Sequence, residues 1–200
     1  MKDTLASPSR SLVLGLLISL ALLAFWVVSA SVDRIGFVSF LLRWLHIASA
    51  MIWVGMIWFV NFIQLVAVAE AEPPARAAIL KHIVPRVALT FRHASHVAIG
   101  SGVLLLATSG YLLNQLVFSA PVYVPLQRSL LIWAGVVAAM AMYMFVHMMI
   151  WPGLRRVLGI EAADVDQIAA ARVKVATYAR WNLVLAVPVT VAMVAAAHLY

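Results

Sequence analysis

Five long apolar runs, separated by charged stretches, dominate the hydrophobic pattern of this sequence. Each run is close to or longer than the roughly 20 residues that an α-helix needs to cross a bilayer. Because lipid offers backbone groups no hydrogen-bond partner, each run is predicted to be a helix. The sequence therefore predicts an all-α fold, an integral membrane bundle of five transmembrane helices at about residues 11–30, 38–69, 95–118, 129–151 and 181–199.

The segments between the runs carry local signals of their own. Residues 152–180 have acidic side chains near their start and basic ones at their end, the charge order that a helix dipole favours. This order predicts a helix that leads into the fifth run. Three prolines interrupt residues 70–94, so that stretch is expected to be a loop holding one short amphipathic helix at the membrane surface.

The basic residues are distributed unevenly between the two sides that five spans define. Eleven of the 14 Lys and Arg residues fall in the N-terminus, in residues 70–94 and in residues 152–180. The positive-inside rule therefore predicts a cytoplasmic N-terminus and an external C-terminus in a bacterial inner membrane. This topology accounts for the net charge of +7, so the lipid bilayer is a predicted partner and nucleic acid is not.

Residues 1–200 are interpreted as a single membrane domain. Residues 1–36 carry the first span, and residues 37–200 form a four-helix core that bears the histidines. The triplet Val28-Ser29-Ala30 resembles a signal-peptide cleavage site, but the apolar stretch before it is longer than the core of a signal peptide. The first span is therefore interpreted as an uncleaved anchor.

The residue types that are missing exclude several kinds of site. The sequence has no cysteine, which excludes disulfides, thiolate zinc sites, iron–sulfur clusters and the CxxCH motif of covalent haem attachment. Every acidic residue lies outside the apolar runs, so neither a hydrolytic triad nor a buried acid chain for protons is predicted in the membrane. A metal must be held by His, Met, Asn or backbone groups.

Four of the six histidines lie within or at the ends of four apolar runs, where an imidazole is costly and marks a functional site. Helical rise counted from the run ends places His46 and His198 in an outer layer and His96 and His147 in an inner layer. Facing histidines at equal depth hold b-type haem in membrane cytochromes. We therefore predict one or two haem b groups, with Arg43 beside His46 contacting a haem propionate.

The methionine-rich segment around His147 predicts a different metal. Met144 and Met148 place thioether sulfur beside its imidazole, a ligand set that suits Cu(I). A copper-handling membrane protein is therefore the alternative hypothesis. A third hypothesis is a structural subunit whose histidines only join helices together.

Three segments resemble the membrane domain of bacterial membrane-bound, cytochrome c-linked urate oxidases. They are RWLHIASAMIWVGMIWF (43–59), which is similar to the W-L-H, W-x-G and W-F signature of that family, WPGLRRV (151–157), and RWNLVLAVPVTVAMVAAAHLY (180–200). The resemblance places His198 on the terminal histidine of the family and implies a membrane oxidoreductase. The first segment also looks like copper-resistance D membrane proteins and haem-binding protoporphyrinogen oxidases.

The leading functional hypothesis is electron transfer by an integral membrane b-type haem protein or subunit. Electrons would pass between a membrane donor and an external acceptor, so a quinone or a cytochrome c is the expected redox partner. The chain is expected to act either as a homo-oligomer or as a subunit of a larger complex.

Overall fold

The computed structural model describes residues 7–30, 33–108 and 126–199, and all helices named below lie in these ranges. They are α1 (Pro8–Ser29), α2 (Arg34–Glu70), α3 (Pro73–His82), α4 (Val84–Thr108), α5 (Leu126–Val157) and α6 (Val165–His198). The described part of the chain contains no strand, which confirms the all-α prediction. Two helices each contain one wider π-helical turn, Val60–Gln64 in α2 and Phe145–Ile150 in α5.

Four helices in the described ranges are long and apolar enough to cross a membrane, namely α1, α2, α5 and α6. They indicate a multi-pass membrane protein. The run predicted at 95–118 corresponds to α4 as far as Thr108, and the remainder of that run lies in residues 109–125, outside the described residues.

The segments between the apolar runs are more helical than predicted. The short helix expected in residues 70–94 is present as α3, but α4 already begins at Val84. The prediction of a loop there was wrong because hydrophobicity marks where a helix meets lipid and not where it starts, and Pro85 fits the first turn of a helix. The helix expected before the fifth run is confirmed, since α6 continues unbroken from Val165 to His198.

The chain divides into two compact units, residues 1–40 and residues 41–200. In the first unit, α1 has no buried residue. The rings of Trp26, Phe37 and Phe40 cluster there, with centroid separations between 5.7 and 6.4 Å. A helix that is apolar on all sides and buries no face is suited to contact with lipid.

In the second unit, α2, α4, α5 and α6 share one hydrophobic core. Its buried members are Trp53, Ile57, Phe91, Ala94, Ala98, Met142, Val146 and Ala186. Contacts of Gly135 with Met193 and of Gly153 with Val175 show that α5 and α6 run antiparallel. The buried residues of α6 are alanines and one asparagine, and such small side chains allow the close helix approach on which packing in membranes depends.

The start of α6 provides a test of local helix stability. The Asp164 carboxylate accepts the Gln167 backbone N–H at 2.7 Å, and the Gln167 side chain accepts the Asp164 backbone N–H at 3.2 Å. Asp164→Ala removes this capping box and is expected to destabilise the protein by about 1 kcal/mol, measured as a lower midpoint of thermal unfolding in detergent micelles. Asp166→Ala is the matched control, because it removes a first-turn acidic side chain and leaves the cap intact. Equal losses in the two variants would contradict the role of the cap.

Candidate functional site

His96 on α4 and His147 on α5 lie against each other. Their ring centroids are 4.4 Å apart, and the ring planes are inclined by 67°. The ring of Tyr143, one turn before His147, lies 4.2 Å from the His147 ring and 5.5 Å from the His96 ring. The structure therefore brings together the two histidines that the sequence assigns to an inner layer.

The backbone carbonyl of Arg92 determines which nitrogen of each ring carries the proton. It accepts a hydrogen bond from His96 Nδ1 at 2.7 Å and one from the Ser95 hydroxyl at 2.8 Å. Because the Ser95 proton is used in this way, His147 Nε2 must be the donor in its 3.2 Å contact with Ser95 Oγ. In the neutral rings, lone pairs therefore remain on Nε2 of His96 and on Nδ1 of His147.

The local backbone at His147 is a π-helical turn, Phe145–Ile150. Single π turns within α-helices are frequent at functional sites. Met144 and Met148 are exposed by 43% and 63%, so their flexible thioethers are not held in the core. Within the described residues, no group of three or more His, Asp or Glu side chains is placed to hold a metal ion. An ion bound by the two histidines would have to complete its coordination with neutral groups such as these thioethers.

A positive charge acts on the histidine pair, because Arg92 interacts electrostatically with His147. The Arg92 guanidinium lies over the Trp151 ring, 4.2 Å from its centroid, in a cation–π contact. A divalent metal ion bound nearby would be repelled by this charge twice as strongly as a monovalent ion at the same distance. The electrostatic surroundings thus favour an ion of low charge.

His46 on α2 packs closely on α4. Its Nδ1 donates to the carbonyl of Ala98 at 2.8 Å, which leaves the lone pair on Nε2. A Cβ at Gly102 would lie 2.9 Å from Cε1 of His46, so this approach depends on glycine. Ala98 and Gly102 lie roughly 4.5 and 10.5 Å of helix rise beyond Ser95, so the His46 ring lies about one to two turns from the level at which Ser95 contacts His147.

His198 lies at the exposed end of α6 and far from that level. Counted from the contact between Gly135 and Met193, helix rise separates His198 from the level of His147 by roughly 25 Å and from that of His46 by roughly 15–20 Å. The structure does not bring His46 and His198 to one depth. The reason is that residue counts from the ends of two separate runs do not fix the relative register of their helices, which side-chain contacts set.

The described geometry does not fit either expected pair to one haem iron. An iron about 2.0 Å from each of two trans imidazole nitrogens holds the ring centres about 6 Å apart. The 4.4 Å between the His96 and His147 rings is too short, and His46 and His198 are too far apart. The 4.4 Å is closer to the roughly 5 Å at which two imidazoles share one small ion at a tetrahedral angle. Arg43, the expected propionate contact, is exposed.

A second polar feature is a cavity of about 360 Å³ lined by residues of α2, α3, α4, α5 and α6. Its walls are mostly aliphatic, and its polar lining consists of Asn61, Gln64, Arg76, Arg172 and Asn182. Gln64 is 8% exposed and Asn182 only 1%. Across residues 7–30, 33–108 and 126–199, Oε1 of Gln64 and both amide atoms of Asn182 have no hydrogen-bond partner.

Sequence reasoning missed this cavity because it gave most weight to ionisable groups. Gln64 and Asn182 both lie within apolar runs, and an unpaired amide in an apolar environment is itself costly. That cost was the available signal. Their convergence on one cavity depends on how α2 packs against α6, which no local pattern reveals.

Comparison with known proteins finds no match to this chain among protein-family models, curated proteins or solved structures. The resemblance to urate oxidase membrane domains therefore stays a prediction. The functional conclusion rests on the geometry of the residues themselves.

The close contact of His46 with α4 yields a test of packing. Gly102→Ala places a methyl group 2.9 Å from the His46 ring and is expected to destabilise the protein by about 1–3 kcal/mol. The measurement is the midpoint of thermal unfolding in detergent. Gly100→Ala is the control, because a Cβ at that position meets no atom within 4 Å. Adding His46→Ala to Gly102→Ala should make the glycine substitution nearly neutral, and a purely additive double variant would refute the contact.

Proposed function

We propose that this chain is an integral membrane protein that binds Cu(I) at His96 and His147 and thereby handles copper. The observation that carries the proposal is the closeness of the two rings together with the hydrogen bonds that set their tautomers. They lie 4.4 Å apart, and each donates its other N–H to a protein oxygen while keeping one lone pair. Metal-binding histidines almost always have such a second hydrogen bond, which sets the tautomer and the ring orientation.

Three chemical arguments favour Cu(I) over other ions. Imidazole with thioether is a soft ligand set that suits Cu(I), and Met144 and Met148 adjoin His147 in sequence. The described residues supply no carboxylate to the pair, as Mg²⁺ or Ca²⁺ would require. The nearby Arg92 charge disfavours divalent ions. Bound Cu(I) would supply a soft monovalent centre held by two imidazoles and a thioether. The resemblance to copper-resistance D membrane proteins agrees with this proposal.

We also propose the membrane topology in its finer form. The chain would span a bacterial inner membrane five times, with the N-terminus in the cytoplasm and the C-terminus outside. The distribution of basic residues supports this orientation. In the sequence, the apolar run that begins within α4 continues to about residue 118, and this run would form the remaining span, the third in chain order. In that arrangement copper would be bound within the bilayer, towards the cytoplasmic side.

The copper proposal predicts the effect of removing one imidazole. His147→Ala is expected to weaken Cu(I) binding by about 100-fold or more, because a two-histidine site then keeps a single ring. Ser95→Ala should weaken binding by about 10–100-fold through loss of ring orientation alone. Both effects are measured by competition with a colorimetric Cu(I) chelator, using purified protein in detergent.

His198→Ala is the matched control for the copper measurement. Like His96, His198 is exposed and donates Nδ1 to the carbonyl four residues earlier, but it lies far from the pair. Its removal should leave the Cu(I) affinity unchanged. Equal weakening by His147→Ala and His198→Ala, or wild-type protein that holds copper only at trace level, would overturn the proposal.

Electron transfer through haem b stays the competing hypothesis, and one observation favours it. His46 donates Nδ1 to a backbone carbonyl and keeps its Nε2 lone pair, as axial haem ligands do. On the copper proposal, we expect protein expressed with ample haem to show no Soret or α band in a reduced-minus-oxidised spectrum. Haem bands that disappear in His46→Ala would instead support haem b, and with it a membrane oxidoreductase with a quinone or cytochrome c partner.

A further inference from the structure

We propose that the cavity lined by α2 to α6 binds a neutral amphipathic molecule of the isoprenoid quinone and quinol class, with the ring head inside and the tail directed outward. The inference goes beyond copper binding, because it concerns different residues. It rests on the cavity of about 360 Å³ and on two buried carboxamides in its wall, those of Gln64 and Asn182.

The buried amides determine which end of a ligand enters. Asn182 is 1% exposed, and neither its amide oxygen nor its amide nitrogen is hydrogen-bonded within the described residues. A buried amide left without partners costs free energy on the order of 1–3 kcal/mol. A hydrocarbon tail in the cavity would leave that cost in place, whereas a polar head removes it. The head must therefore be the part that reaches Asn182.

The available atoms also determine the chemistry of the head. The free amide nitrogen of Asn182 donates, while the free oxygens of Asn182 and Gln64 accept. A quinone carbonyl accepts from the former, and a quinol hydroxyl donates to the latter. The same two side chains thus suit both oxidation states of one ligand. The quinone satisfies only the donor, whereas each quinol hydroxyl both donates and accepts and can satisfy the donor and an acceptor alike.

Two arginines line the cavity, and an anionic head would have to use one of them. Arg76 donates Nη2 to the carbonyls of Ala69 and Ala71, while its buried Nε has no partner within the described residues. Arg172 is exposed. A neutral head avoids the far higher cost of burying a carboxylate, and an anionic probe tests whether these arginines offset that cost.

The size and walls of the cavity agree with a ring and the start of a chain. Its volume lies at the lower end of the roughly 300–1,000 Å³ typical of small-molecule sites. The buried Phe91 gives one wall an aromatic face for stacking on a planar ring. The remaining lining is aliphatic, as an isoprenoid tail requires.

The test uses full-length, copper-free protein in detergent and a benzoquinone with a decyl tail as probe. Binding is followed by quenching of tryptophan fluorescence, and the quinol form is measured by competition. We expect saturable binding that Asn182→Leu and Gln64→Leu each weaken at least tenfold. Asn182→Leu should not lower the thermal unfolding midpoint, because it removes a buried amide that has no partner. Thr190→Val, on the same helix and outside the cavity lining, is the control and should bind normally.

Two further probes separate the proposal from its competitors. Decylbenzene has the same tail without oxygens and should bind at least tenfold more weakly than the quinone. Oleate tests an anionic lipid, whose carboxylate would need Arg76 or Arg172, and it should also bind more weakly than the quinone. Decylbenzene binding as tight as that of the quinone would overturn the proposal. Oleate binding tighter than that of the quinone would also overturn it.

The two proposals can fail separately. Because the measurement uses copper-free protein, a negative result leaves Cu(I) binding at His96 and His147 untouched. If Asn182→Leu does not fold, Gln64→Leu and the comparison of decylbenzene with the quinone on wild-type protein still decide the question. The proposal is rejected if folded Gln64→Leu protein binds the quinone as tightly as the wild-type protein does, and the wild-type protein binds decylbenzene as tightly as the quinone.

Discussion

In a hydrocarbon environment a polar group has no water to bond with, and each donor and acceptor must find its partner within the protein. The described helices satisfy this constraint first through their backbone ladders. Side chains then follow the same rule locally. Ser49 and Thr190 donate to carbonyls one turn earlier in their own helices, as do the imidazoles of His96 and His198. These polar side chains are thus accounted for within a single turn.

Two groups of polar side chains keep atoms that such local hydrogen bonds leave unused, and these groups form the candidate sites. The carbonyl of Arg92 accepts two hydrogen bonds and thereby fixes His96 directly and His147 through Ser95. Each ring is left with one lone pair that no other described group uses. In the cavity, both amide atoms of Asn182 and Oε1 of Gln64 have no partner within the described residues. The first site offers imidazole lone pairs and the second offers unpaired amide atoms, so the two sites suit chemically different ligands.

Small residues decide how closely these groups can approach. Gly102 allows the His46 ring to reach the Ala98 carbonyl, and alanines line the buried face of α6. Since lipid supplies no hydrophobic drive for helices to associate, close contact and interhelical hydrogen bonds must hold the second unit together. The bond from Asn61 to the Ala179 carbonyl is one such link, between α2 and α6. The same close packing keeps the His96 and His147 rings nearer than two axial ligands of one haem.

The sequence alone determined the helical class and the apolar helices, because lipid permits few backbone solutions. It also correctly indicated the helix ahead of the fifth run, where Asp164 and Gln167 form a local cap. Only the tertiary structure decided which histidines meet. Depth in the bundle depends on how the helices are aligned along their axes. Contacts such as Gly102 with His46 and Gly135 with Met193 set this alignment, and they join residues that are far apart in the chain. The tertiary structure also decided the cavity, because Gln64 and Asn182 converge only once α2 and α6 are packed.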